Sequence, residues 1–166
     1  MLYFPYEWCR RRNESEFLYG LKCFLTKKSK RDVIIALAVT LIPLTVITFY
    51  WPYEWGGRGL KHPDLWNAID GLCGGIAAAI IEEIFFRGWL QTLTVKKFGV
   101  YIGIFIASLL FALSHLIVLT GWLRVATFFP GLVMGILRQR GGSVLPSIIY
   151  HAICNVWAVW FAPVVV

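Results

Sequence analysis

The chain has 166 residues, 58% hydrophobic and 15% charged, whereas a soluble domain averages about 25% charged. Its net charge of +7 is unevenly spread: eight of the 16 Lys and Arg lie between Arg10 and Arg31, ahead of the first apolar run. With a mean hydropathy of +0.69, this is the pattern of a membrane protein with a basic flank beside anionic lipid, and it argues against nucleic acid as a partner.

Residues 1–32 read as a basic cytoplasmic arm. Within it Phe17, Leu18, Leu21, Phe24 and Leu25 recur at helical spacing beside Lys22, Lys27 and Lys28, which predicts an interfacial helix. Val33–Trp51 is 19 residues without a charge. It is too long for a signal-peptide core and no small-x-small cleavage site follows, so it reads as an uncleaved first span. Residues 52–67, with Pro52, Gly56, Gly57, Gly59 and Pro63, form the longest connection and read as an external loop.

Four further apolar segments follow, at roughly 68–95, 99–120, 122–137 and 143–162. The expected fold is therefore an all-α polytopic bundle of about five spans, with residues 68–162 as a core of four helices. The segment at 122–137 is short for a span, which predicts tilting, partial re-entry or burial. Trp51, Tyr53, Trp55, Trp66, Trp122 and Trp160 fall at or near segment ends, as interfacial aromatics do. With the N-terminus inside, the inner side holds the arm's eight cations plus Lys96, Lys97, Arg138 and Arg140, and the outer side holds Arg58, Lys61 and Arg124. That asymmetry predicts a cytoplasmic N-terminus and an external C-terminus. The pairs Gly71/Gly75 and Gly131/Gly135 read as generic close helix packing. Cys9, Cys23, Cys73 and Cys154 have no CxxC spacing and read as small apolar residues rather than a disulfide or zinc framework.

Several polar residues contradict their surroundings. Glu82, Glu83 and Arg87 fall inside one apolar segment, His115 inside another, and His151 with Asn155 inside a third. An ionisable group at the bilayer centre costs about 2.5–3.5 kcal/mol on insertion scales and faces a cavity or a partner. Glu83 and Arg87 are four apart, which pairs them. Glu82 projects about 100° away around the helix and is left as a general base. His151 and Asn155 share a face, as do Phe111 and His115. A carboxylate and a histidine can hold and activate water, while a second histidine and an amide can donate to an oxyanion. Two histidines and a glutamate also form the ligand set of some catalytic zinc sites. The residues alone leave both mechanisms open. Ser114 and Ser147 lack a partner for nucleophilic catalysis, His62 in the external loop carries no role, and Asp70 reads as a helix-end residue.

The order Glu82-Glu83-x-x-x-Arg87, Phe111-x-x-x-His115, His151-x-x-x-Asn155 resembles the three-motif signature of the CAAX protease and bacteriocin-processing (CPBP/Abi) family, over roughly residues 68–160. The resemblance implies an intramembrane endopeptidase of a prokaryotic plasma membrane, acting on a membrane-anchored protein or peptide. It implies Glu82 as the base that activates water, His115 as its helper, His151 and Asn155 as the oxyanion site, and Glu83, Arg87 and Phe111 as supporting residues. A metal-free, glutamate-based reaction is the favoured expectation. A zinc-dependent version on Glu82, His115 and His151 is the alternative, as is a non-catalytic immunity or scaffold protein that keeps the polar core. Small members that process C-terminal sorting tails are one place for such a chain.

Overall fold

A computed structural model describes residues 1–54, 64–118 and 122–161. Its elements are helical: α1 (Tyr3–Arg12), α2 (Lys27–Glu54), α3 (Leu65–Glu83), α4 (Gln91–Phe98), α5 (Val100–Val118), α6 (Phe128–Gly141) and α7 (Leu145–Phe161). A π-helical segment, Ile84–Leu90, joins α3 to α4 without a break, and a 3₁₀ segment, Trp122–Thr127, precedes α6. No strand occurs among the described residues.

Local chemistry sets the boundaries. Asp64 caps α3 by accepting the Asn67 N–H at 3.0 Å, the usual role of a short acidic side chain at that position. α4 ends at Gly99 (φ +83°) and α6 at Gly142 (φ +69°), conformations a Cβ disfavours. Ser143 then accepts the backbone N–H groups of Leu145 and Phe24, each at 3.2 Å. One hydroxyl thus ties the start of α7 to the N-terminal segment.

The five-span expectation is met in part. Only the window Val100–Ile117 of α5 is both long and apolar enough to cross a membrane among the described residues, with a mean hydropathy of 2.2. Leu145–Val159 is apolar but shorter. In α3 the acidic pair and Arg87 lower the hydropathy of a continuous helical run. The segment expected at 122–137 divides into the 3₁₀ turn and α6, whose 14 residues reach about 21 Å. The aromatic and charge expectations at Trp51, Tyr53, Trp55, Arg58, Lys61, His62, Trp122, Arg124 and Trp160 concern side chains outside the described set, as does most of the expected loop. Trp66, at the start of α3, is 79% exposed.

The N-terminal arm departs from the expectation. Its helix is Tyr3–Arg12, and the stretch holding Phe17, Leu18, Leu21, Phe24 and Leu25 forms turns rather than an interfacial helix. Asn13 and Gly20 both take left-handed backbone, which ends α1 and prevents a second helix. Tyr19 and Leu21 are buried in a cluster with Cys9, Ile84, Val144 and Ile148. The Tyr19 hydroxyl receives the Trp8 indole N–H at 3.0 Å and donates to Glu14.

The main core groups Val33, Phe86, Phe111, Met134, Leu137 and Tyr150, from α2, the π segment, α5, α6 and α7. Polar ties fasten α2 to it: Tyr150 to Thr40 at 3.1 Å, Trp157 to Thr45 at 2.8 Å, and Arg140 to Asp32 at 2.9 Å. Outside the core, Ile34, Val39 and Ile42 of α2 and Tyr101, Ile102 and Phe105 of α5 are exposed. The bundle therefore has an apolar exterior and a polar centre.

Candidate active site

The centre is built where α3 passes into the π segment. π turns inside helices are frequent at functional sites, and this one begins directly after Glu82 and Glu83. Glu83 and Arg87 are both fully buried, with Arg87 Nε 3.6 Å from Glu83 Oε2. The guanidinium lies 4.8 Å from the centroid of the Phe111 ring, a cation–π contact in a dry setting. Its Nε, Nη1 and Nη2 make no hydrogen bond.

The other oxygen of Glu83, Oε1, is 3.1 Å from His151 Nδ1 on α7. An ionised carboxylate only accepts, so Nδ1 carries the proton. The ring then turns Nε2 toward Glu82, 3.9 Å from Oε2. His115 arrives from α5 in a matching way. Its Nδ1 lies 3.0 Å from the Phe111 carbonyl, which also only accepts, and its Nε2 is 3.9 Å from the same Glu82 oxygen. Glu82 Oε2 has no hydrogen-bond partner. Glu82 retains 26% side-chain exposure, against 17% for His115 and 9% for His151. The helix packing thus places both histidines, from different segments, beside Glu82.

Phe111 organises this arrangement. It is buried, packs edge-on to Phe86 and His151, and lies 4.5 Å centroid to centroid from His115. Asn155 sits one turn beyond His151 and donates Nδ2–H to the Gly75 carbonyl at 2.8 Å. The structure thus joins Glu82, Glu83, Arg87, Phe111, His115 and His151 in one contact network, with Asn155 bridging to α3 beside it.

Two features were not legible beforehand. Glu83 is more than the partner of Arg87, because it also orients His151. Gly75 and Gly131 are more than generic packing. A Cβ at Gly75 would lie 3.0 Å from Asn155 Cβ, and one at Gly131 would lie 3.3 Å from Ser108 Cβ and 3.4 Å from Arg87 Nη2. Each glycine makes room for a polar side chain of the site.

The donor set of Glu82, His115 and His151 has the chemistry of a zinc site, so its dimensions matter. An ion about 2.1 Å from two atoms 3.9 Å apart would open their angle to roughly 135°, well beyond tetrahedral. A water about 2.8 Å from both closes at roughly 90°. The spacing leaves room for a small bridging species between the histidines and Glu82, and no group of three His, Cys, Asp or Glu among the described residues is arranged to hold an ion.

Residues 64–157 match the family described as Type II CAAX prenyl endopeptidase Rce1-like. The match takes in every polar residue of the centre and more than half of the chain. The chain belongs to the Rce1-like family. Membership associates the fold with CAAX-type intramembrane endopeptidases, whose substrates are peptides or proteins. No curated protein and no solved structure matches the chain. The Rce1-like region begins at the Asp64 cap and ends within α7, so α1 and α2 lie outside it.

Proposed function

We propose that this protein is an intramembrane endopeptidase that hydrolyses a peptide bond of a membrane-anchored substrate with water activated by Glu82. The observation that carries this reading is the approach of two histidine Nε2 atoms to one Glu82 oxygen, each at 3.9 Å.

In this mechanism water enters between Glu82 and His115. Glu82 takes its proton as the water oxygen attacks the scissile carbonyl carbon, and later returns that proton to the leaving amine. The Phe111 carbonyl holds the Nδ1 proton of His115, which leaves Nε2 to accept a hydrogen bond from the water. His151, turned by Glu83, presents Nε2 to the oxyanion and donates when that nitrogen is protonated. The second Nδ2–H of Asn155 is the other donor. Arg87 balances the charge of Glu83 and fixes it between α3 and α7. The low polarity around these groups strengthens each interaction.

The apolar outer faces of α2 and α5 support a bilayer setting, because a protein in water rarely exposes such continuous apolar surface. The basic arm with Lys96, Lys97, Arg138 and Arg140 faces the cytoplasm in this reading. Residues 68–162 form the catalytic core, Val33–Trp51 a span docked on α6 and α7, and residues 1–32 a cytoplasmic arm.

The test is cleavage of membrane-anchored peptides by protein reconstituted in lipid, with products identified by mass spectrometry, with and without a strong chelator. Cleavage that survives chelation is expected. Loss on chelation and recovery with zinc would transfer Glu82, His115 and His151 to a metal-dependent mechanism. No cleavage of any anchored peptide, lipidated or not, would leave the reading without its activity.

A further inference from the structure

A second polar feature borders Arg87 and includes Lys96 and Arg138 at the basic end of the bundle. It is a cavity of about 370 Å³ lined by Leu18, Arg87, Gln91, Lys96 and Arg138, with Thr92, Val95 and Gln139 completing the wall. Three of its lining residues are cationic and none is acidic. Its floor is buried: Arg87 is fully enclosed, Gln91 is 1% exposed and Arg138 8%. Its rim residues Lys96, Gln139 and Leu18 are exposed.

The floor carries unused donors and charge. Arg138 Nε has no hydrogen-bond partner, and Nη2 reaches the Leu18 carbonyl only at 3.4 Å. No acidic residue is paired with Arg138 in an ion pair among the described residues. The nitrogens of Arg87 likewise make no hydrogen bonds, although Arg87 pairs with Glu83 at 3.6 Å, so Arg138 is the floor's uncompensated cation. A buried cation without a counterion is costly, and structures normally satisfy one with an opposite charge. The backbone keeps Arg138 in place: a Cβ on Gly20 would lie 2.5 Å from its guanidinium carbon, so the turn of the N-terminal arm closes directly over it.

We propose that this cavity binds a phosphate group, held by the guanidinium of Arg138 and the ammonium of Lys96, with Arg87 at its inner end. Guanidinium groups match phosphate oxygens in a fork geometry, and two arginines with a lysine exceed what a single carboxylate needs. The source is either the phosphodiester headgroup of an anionic lipid or free phosphate. The exposed rim at the basic end favours the lipid, since that end faces the anionic leaflet in the membrane reading. Because Arg87 also neighbours Glu83, the bound anion would sit within one side chain of the catalytic centre. The proposal rests on the bilayer reading but not on peptide cleavage, so its test reads binding alone.

The experiment uses full-length protein in nanodiscs. One arm titrates inorganic phosphate into zwitterionic discs and follows the thermal midpoint. The other replaces part of the zwitterionic lipid with phosphatidylglycerol and counts retained lipid by native mass spectrometry. Saturable binding in either arm is expected, and which arm responds identifies the source. Lys96→Gln and Arg138→Gln should each weaken it about tenfold or more. Gln139→Glu, on the exposed rim, tests the same charge if Arg138→Gln does not fold. Lys27→Gln/Lys28→Gln should bind like wild type, since these lysines lie on the arm outside the cavity. Absence of saturable binding in both arms, or equal loss in the arm control and the cavity variants, would overturn the proposal.

Discussion

Glu83 Oε1 and His151 Nδ1 lie 3.1 Å apart, a buried contact that joins α3 to α7. The same carboxylate faces Arg87 through its other oxygen. Glu83 therefore holds a cation on one side and sets the orientation of a site histidine on the other, while the Oε2 of Glu82, the preceding residue, faces His115 and His151 without a hydrogen bond.

This division of labour separates the two acidic residues experimentally. Glu83→Gln removes the charge opposite a fully buried Arg87, and breaking a buried pair from one side costs about 3–5 kcal/mol. We expect a marked fall in the thermal midpoint together with a loss of activity of roughly 10- to 100-fold, as for other groups that orient a functional histidine. Thermal unfolding and kcat/KM measured on the same preparation check this. An unchanged midpoint would mean that Glu83 does not carry the charge of Arg87.

The glycines give a graded series. Gly131→Ala would press on Ser108, Arg87 and Phe111 and should cost about 1–3 kcal/mol through overpacking. Gly75→Ala would push on Asn155 and should lower activity by moving its amide. Gly74 has open space where a Cβ would project, so Gly74→Ala should be neutral or stabilise by up to about 1 kcal/mol. Denaturation of the three variants in one detergent tests the order.

The Asp32–Arg140 pair fastens the start of α2 to the end of α6. Hydrogen bonding from Arg140 holds the Asp32 carboxyl below its ordinary value, with the charges of Arg140, Arg31 and Lys28 adding to the effect. A lowered carboxyl contributes stability above its unfolded value of about 3.9, and that contribution is lost as pH falls through the lower folded value. Wild type should therefore lose more thermal stability between pH 6 and pH 3 than Asp32→Asn does. Parallel pH profiles would show that the pair contributes nothing.

Much of the site was readable from local spacing. The separation of Glu83 and Arg87 by four residues announced their pairing, and three polar motifs in three apolar segments announced a shared centre. The contacts of His151 were not readable, because no spacing within α7 reports what crosses from α3. Nor was the π segment, since a single uniform helical period was assumed through Glu82–Arg87. The arm misled for a related reason: Phe17, Leu18 and Leu21 do follow helical spacing, yet Gly20 turns the chain and buries Tyr19 and Leu21 against Ile84 and Val144. Gly75 and Gly131 belong to recognisable small-residue pairs, but only the packed helices reveal which polar side chain each accommodates.

The central claim is that Glu82 activates the attacking water, and the most direct measurement is the cleavage rate of Glu82→Gln beside wild type on a peptide that wild type processes. Gln preserves size, and the Glu82 oxygen that faces the histidines makes no hydrogen bond, so the variant should fold with a near wild-type thermal midpoint. The account predicts that its kcat falls by about 10²- to 10⁴-fold, the usual worth of a positioned general base. Cleavage within a few fold of wild type by the folded variant would contradict it.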